Sequence, residues 1–112
     1  MILIVEDIKR WEDLLVERTH KAFSDEEIMV VRSTDDLEKI LFSNQKFSAV
    51  ALDGWLGENS TLRFVSALLE KSQIVISTSQ DVNLREEMIS AGCQVGGNKW
   101  DFVSLLLQKI SP

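Results

Sequence analysis

Four short apolar runs constrain the fold more than anything else in the chain: ILIV at 2 to 5, IMVV at 28 to 31, AVAL at 49 to 52 and IVIS at 74 to 77. They are rich in β-branched residues and lack polar alternation, which is the pattern of strands buried on both faces. Helical spacing fills the gaps: Trp11, Leu14, Leu15 and Ala22; Leu37, Ile40 and Leu41; Leu62, Val65, Leu68 and Leu69; Leu84, Met88 and Ala91; Phe102, Leu105 and Leu106. Thr34 or Asp35, Asn59 or Ser60, and Asp101 stand where helix starts need a side-chain acceptor, and Gly92 follows a helix end. A fifth strand is expected at CQV, 93 to 95, beside two glycines. Strand and helix alternate at a period of roughly 20 to 25 residues, so the chain reads as βαβ units: an α/β fold with a parallel sheet covered by helices on both faces.

At 112 residues the chain is expected to form a single domain, 1–112. Apolar residues make up 45%, which suits a folded globule rather than a disordered segment. A net charge of -6 opposes nucleic acid and anionic membranes and favours a cationic ligand or a basic protein partner. The single cysteine, Cys93, excludes an internal disulfide, and no apolar segment approaches the roughly 20 residues of a membrane span. The opening MILIV is followed by acids where a signal peptide needs a longer apolar core, so the expected compartment is the cytoplasm.

Ligands of such sheets bind at the carboxyl ends of the strands. Strand one ends on Glu6 and Asp7, strand three on Asp53, strand four on Ser77 and Thr78, and the loop after strand five carries Lys99. Each has a structural reading of its own. Asp7 caps the helix beginning near Lys9, Asp53 supports a turn at Gly54, Ser77 is a small core hydroxyl, and Lys99 is a solvated loop lysine. Together, though, they deliver acids, a hydroxyl and a lysine to one rim. Carboxylates crowded at one point repel one another unless a cation sits among them, and Mg²⁺ takes such hard oxygen ligands. Asp53 is then a nucleophile that forms an aspartyl phosphate, with Lys99 neutralising the transferred group and Ser77 binding one of its oxygens. A charge gained at Asp53 becomes a change of surface.

These residues resemble the receiver domain of two-component response regulators. ILIVED is similar to its opening strand and acidic pair, AVALD to its phospho-acceptor strand, IVIST to its hydroxyl strand and AGCQVGGNK to the segment ending in its lysine. The resemblance covers the whole chain and implies a flavodoxin-like, doubly wound sheet of five parallel strands ordered 2-1-3-4-5 with five helices. It makes Glu6 and Asp7 the metal-binding acids, Asp53 the acceptor, Ser77 the switch hydroxyl, Lys99 the phosphate-binding lysine, and the backbone carbonyl of Trp55 a further metal ligand. The implied partners are a histidine kinase or phosphotransfer protein, a downstream protein target and a second copy of the chain. The chain would be a phospho-acceptor and not a turnover enzyme.

Several positions depart from the family pattern. Trp100 follows Lys99 where the family has proline, and Gly96 stands where it has an aromatic switch residue. Gly57 and Glu58 replace a Pro-Gly turn, Thr61 a glycine, and Thr78 a smaller residue. Trp55 either shields the acyl phosphate or blocks the site. Alongside a working receiver, two readings stay open: a receiver-like interaction module acting without phosphorylation, and a small Mg²⁺-dependent phosphatase. Against the phosphatase, Trp55 stands where the haloacid dehalogenase family has a second aspartate. His20 reads as an exposed-face histidine, Cys93 as a small buried hydrophobe in the fifth strand, Trp11 as a core-facing position, and Trp100 as part of a partner surface.

Overall fold

Because every strand of a parallel sheet must be covered on both faces, alternate residues of one run are expected in two different cores. In a computed structural model that describes residues 1–110, this is what the runs do. Strands β1 (Ile2–Val5), β2 (Ile28–Val31), β3 (Phe47–Leu52), β4 (Ser72–Ser77) and β5 (Val95–Gly96) form one parallel sheet in the order β2-β1-β3-β4-β5. Leu3, Val5, Val50, Leu52 and Val75 pack against helices α2 (Thr34–Phe42), α3 (Val65–Lys71) and α4 (Val82–Ser90). Ile2, Ile4, Ala49, Ala51 and Ile76 pack on the other face, against α1 (Lys9–Ala22) and α5 (Phe102–Ile110). The architecture is the flavodoxin-like one that the receiver resemblance implies, with its strand order 2-1-3-4-5.

Register determines what reaches the rim. Val5 lies beside Leu52, and Leu52 beside Ser77, so Glu6, Asp53 and Thr78 follow as one row. The ladder continues one bond past the strands: the amides of Glu6, Asp53, Thr78 and Gly97 donate to the carbonyls of Val31, Val5, Leu52 and Ser77 at 2.9–3.1 Å. The row is therefore held by backbone, not by side chains alone.

Several local expectations are corrected. β3 and β4 each begin two residues earlier than the apolar runs, because Phe47 and Ser72 already pair at the far edge. β5 is Val95–Gly96, and Cys93 lies outside it: the Cys93 amide donates to Met88 O at 3.1 Å, finishing the turn after α4. Asn59 caps no helix, and Ser60 reaches only the turn before α3, its Oγ accepting from Leu62 N at 3.1 Å. They form one arm of a small hairpin with Trp55 and Leu56, and a 3₁₀ turn (Leu62–Phe64) precedes α3. The cap of α2 is Ser33, whose Oγ accepts from Asp36 N at 3.2 Å. Ala22 and Ala91 are exposed, and the buried face of α1 is Glu12, Leu15 and Thr19. Trp11 is only half-buried. It meets Trp100 edge-to-face, with ring centroids 5.2 Å apart, beside an open groove of about 400 Å³ lined by Arg18, Trp100, Val103 and Leu107. His20 is exposed. Among the described residues no helix is long and apolar enough to cross a membrane.

Candidate functional site

The end of β1 provides two acids pointing into different surroundings. Glu6 is fully buried; its Oε2 accepts from Ile8 N at 3.1 Å and its Oε1 lies 2.7 Å from Lys99 Nζ. Asp7 is more open, and the expectation that it caps α1 is corrected: the residue at the cap position is Ile8, and Asp7 Oδ2 instead accepts from Gly57 N in the hairpin at 2.8 Å. Asp53 ends β3, also buried, with Oδ1 accepting from Gly54 N at 2.8 Å and lying 3.0 Å from Lys99 Nζ. Its Oδ2 carries no hydrogen bond from the described residues. Each of the three acids brings one carboxylate oxygen within 4.8 Å of the others.

Lys99 is not a solvated loop lysine. Its side chain is 2% exposed; the ammonium forms ion pairs with Glu6 and Asp53 and donates one hydrogen bond, to Thr78 O at 3.2 Å. One buried cation thus stands among three acids. Burial pushes the Glu6 carboxyl up to about 7; the Asp53 charge adds to this, and the Lys99 ammonium opposes it. Hard oxygen donors in excess of the available positive charge fit a divalent cation: Asp7 and Asp53 at the open side, with Glu6 behind them, are the residues that would hold it.

The hairpin and the loop after β4 close the pocket. A cavity of about 200 Å³ is lined by Asp7, Ile8, Asp53, Trp55, Gly57, Ser79, Gln80, Asp81 and Lys99. The Trp55 indole lies across its mouth, 42% exposed, donating Nε1–H to Asp81 Oδ2 at 3.1 Å. Gly54 has no room for a side chain, since a Cβ there would stand 2.4 Å from Ser79 Oγ. That close approach lets the β4–α4 loop fold over Asp53. Behind the site, Thr61 Oγ1 donates to Asp53 O at 2.5 Å.

Ser77 is not brought to this cavity. Its hydroxyl faces α4, 3.3 Å from Met88 Sδ, with Ser79 N at 3.4 Å. Ser79 stands at the cavity wall instead. Sequence reasoning missed Thr61, Ser79 and Asp81. The run STSQD before an apolar helix carries the cap signal: Asp81 Oδ1 accepts from Leu84 N at 3.2 Å. Thr61, eight residues from Asp53, had no local signal.

No family model and no curated protein matches the sequence. Solved structures do. A response regulator protein from Burkholderia pseudomallei, solved with a phosphorylated aspartic acid, calcium ion and citrate, superposes with a TM-score of 0.71 at 16% identity over 95% of this chain. The chain spans 64% of that protein's length. The response regulator receiver domain from Rhodospirillum rubrum gives 0.71 at 14% identity, covering 98% of this chain and 94% of its own. The receiver domain (CheY-like) from Methylobacillus flagellatus gives 0.69 at 25% identity, with 98% and 97% covered. The fold of this chain is that of the response regulator receiver domains.

Proposed function

We propose that the chain is a phosphorelay receiver, accepting a phosphoryl group on Asp53 in a Mg²⁺-dependent reaction and changing its binding to a downstream protein as a result. One observation carries this reading: a buried acceptor carboxylate, Asp53, held between a buried ammonium and two further acids at the rim of a receiver-type sheet. The free oxygen, Oδ2, attacks the phosphorus of the donor. The new P–O bond forms as the donor's bond to phosphorus breaks, and the donor leaves with the electron pair. When bound, the cation supplies charge neutralisation between the acids and the incoming phosphoryl oxygens. Lys99 neutralises from the opposite side without moving far, since its ammonium already lies 3.0 Å from Asp53 Oδ1. Trp55 narrows the approach and excludes water. The donor is a histidine kinase or phosphotransfer protein in the cytoplasm, and the chain itself turns over no small-molecule substrate.

A second reading has its own support. The Ser77 hydroxyl faces Met88, and Gly96 offers no aromatic side chain, so the site lacks a formed switch. This favours an interaction module that keeps the acid pocket without being phosphorylated. Intact mass after incubation with acetyl phosphate decides between them. The receiver gains one phosphate's mass only with Mg²⁺, loses it to hydroxylamine, and gains none as Asp53→Asn. Absence of added mass from the folded wild type under every condition sinks the receiver reading.

A further inference from the structure

We propose that Arg85 is the positioning residue for Lys99: its side chain straps the loop after β4 to the loop after β5, and position 96 is glycine because the strap passes over it. The role in phosphoryl transfer rests on the receiver reading above; the strap itself does not.

β5 is two residues long, so its ladder with β4 pairs only Val95 and Gly96. So short a strand leaves the 97–101 segment, which carries Lys99, with little backbone to hold it. Arg85, near the start of α4, makes up the difference. Its Nε donates to Ser79 O at 2.9 Å and its Nη2 to Asn98 Oδ1 at 3.0 Å, joining the two loops that flank the cavity. Asn98 immediately precedes Lys99 and is itself fixed to the following turn, its amide donating to Asp101 Oδ2 at 3.1 Å. At the other end of the strap, Ser79 follows Thr78, whose carbonyl accepts from Lys99 Nζ. The guanidinium thus holds the neighbours of both the lysine and its backbone acceptor, and its fork geometry suits two acceptors in different directions.

Between these ends the aliphatic stem lies on β5. A Cβ at Gly96 would stand 2.7 Å from Arg85 Cγ, 3.0 Å from Cδ and 3.1 Å from Ile89 Cδ1. Cγ lies close to the helix backbone and has little freedom to swing aside. Gly96 and the Arg85 stem therefore occupy one space between them, and neither position is free to change alone.

The test is hydrogen exchange read by mass spectrometry together with the rate of phosphorylation by acetyl phosphate. Arg85→Ala is expected to speed exchange of the Gly97, Asn98 and Asp101 amides while β1 and β3 keep their protection. It is also expected to slow phosphorylation roughly 100-fold, the cost of a catalytic group misplaced by about an ångström, with the half-saturating acetyl phosphate concentration unchanged. In a Lys99→Met background the same substitution is expected to change the rate by less than about twofold, because its effect runs through the lysine. Gly96→Ala is expected to reproduce both losses alone and to add nothing to Arg85→Ala. Unchanged exchange at 97–101 overturns the strap, whether or not the wild type takes a phosphoryl group. An undiminished rate loss in the Lys99→Met background overturns the positioning role. Failure of the wild type to be phosphorylated, with exchange accelerated as expected, counts against the receiver reading and leaves the strap standing.

Discussion

On one side of the cavity, Glu6 and Asp53 follow directly from strands of four and six residues, and their own amides extend the sheet ladder. On the other side, Lys99 stands beyond a two-residue strand and is held by the side chains of Arg85, Asn98 and Asp101 and by its own bond to the Thr78 carbonyl. The first side is fixed by the same backbone pairing that makes the fold. The second is fixed by a few polar ties laid over it, each adjustable without disturbing the core. A site whose acids are immobile and whose lysine is tethered has its adjustable element on the cation's side.

Core truncation separates the two sides most sharply. Leu52→Ala in β3, fully buried next to Asp53, is expected to cost about 2–5 kcal/mol in chemical denaturation, whereas Val95→Ala in half-buried β5 is expected to cost less than about 1 kcal/mol. Similar losses would erase the distinction.

The ion pair at the end of β2, between exposed Arg32 and buried Glu12, gives the next largest effect. Arg32 holds Glu12 through contacts of 2.6 and 2.9 Å and keeps its carboxyl below the ordinary 4.5. A lowered acid stabilises the fold above the ordinary value, and that stability is lost as pH falls through the folded one. Because solvent screens the exposed Arg32, Glu12→Gln is expected to cost about 1–2 kcal/mol at neutral pH and to flatten the loss of stability below about pH 4.5, read from denaturant midpoints across pH.

Asp53→Asn is expected to act in the opposite sense, raising stability by about 1 kcal/mol by relieving repulsion with Glu6, while removing the acceptor. A destabilised Asp53→Asn would mean that the Lys99 contact outweighs the crowding. The smallest effect is expected at the cavity mouth. Trp55→Phe loses one exposed hydrogen bond to the Asp81 cap and should lower the thermal midpoint only slightly, less than any of the other substitutions shifts it.

The same division governs how much was legible in the sequence. ILIV, IMVV, AVAL and IVIS carry their burial in their composition, so the parallel sheet and the acids at its ends follow from pattern and topology, while the strand order follows from the resemblance to receiver domains. Phe47–Ser48 and Ser72–Gln73 escaped because polar residues at a sheet's edge look like loop; Ser48 Oγ there donates to Met1 O at 3.0 Å. β5 was placed too early because Cys93 reads as apolar strand while its amide is taken by the turn after α4. The hairpin at 55–60 and the Arg85 strap depend on loop and side-chain geometry, and the Asp7–Gly57 tie joins residues 50 apart; no local periodicity records any of them. Trp11 had helical spacing but faces Trp100 at the surface, because the buried stripe of α1 runs through Glu12.

Lys99 arrives late in the chain, and this bears on how the molecule assembles. A partly folded species in which β2, β1 and β3 have joined would gather Glu6, Asp7 and Asp53 at one rim before any ammonium is among them. Docking of the last strand supplies that ammonium, so closing the sheet and balancing its charge are one event. At neutral pH the three-stranded species is penalised and folding is driven toward all-or-none behaviour. Salt screens charges at such an open rim and weakens the penalty, and high ionic strength is where a folding intermediate of this chain would accumulate.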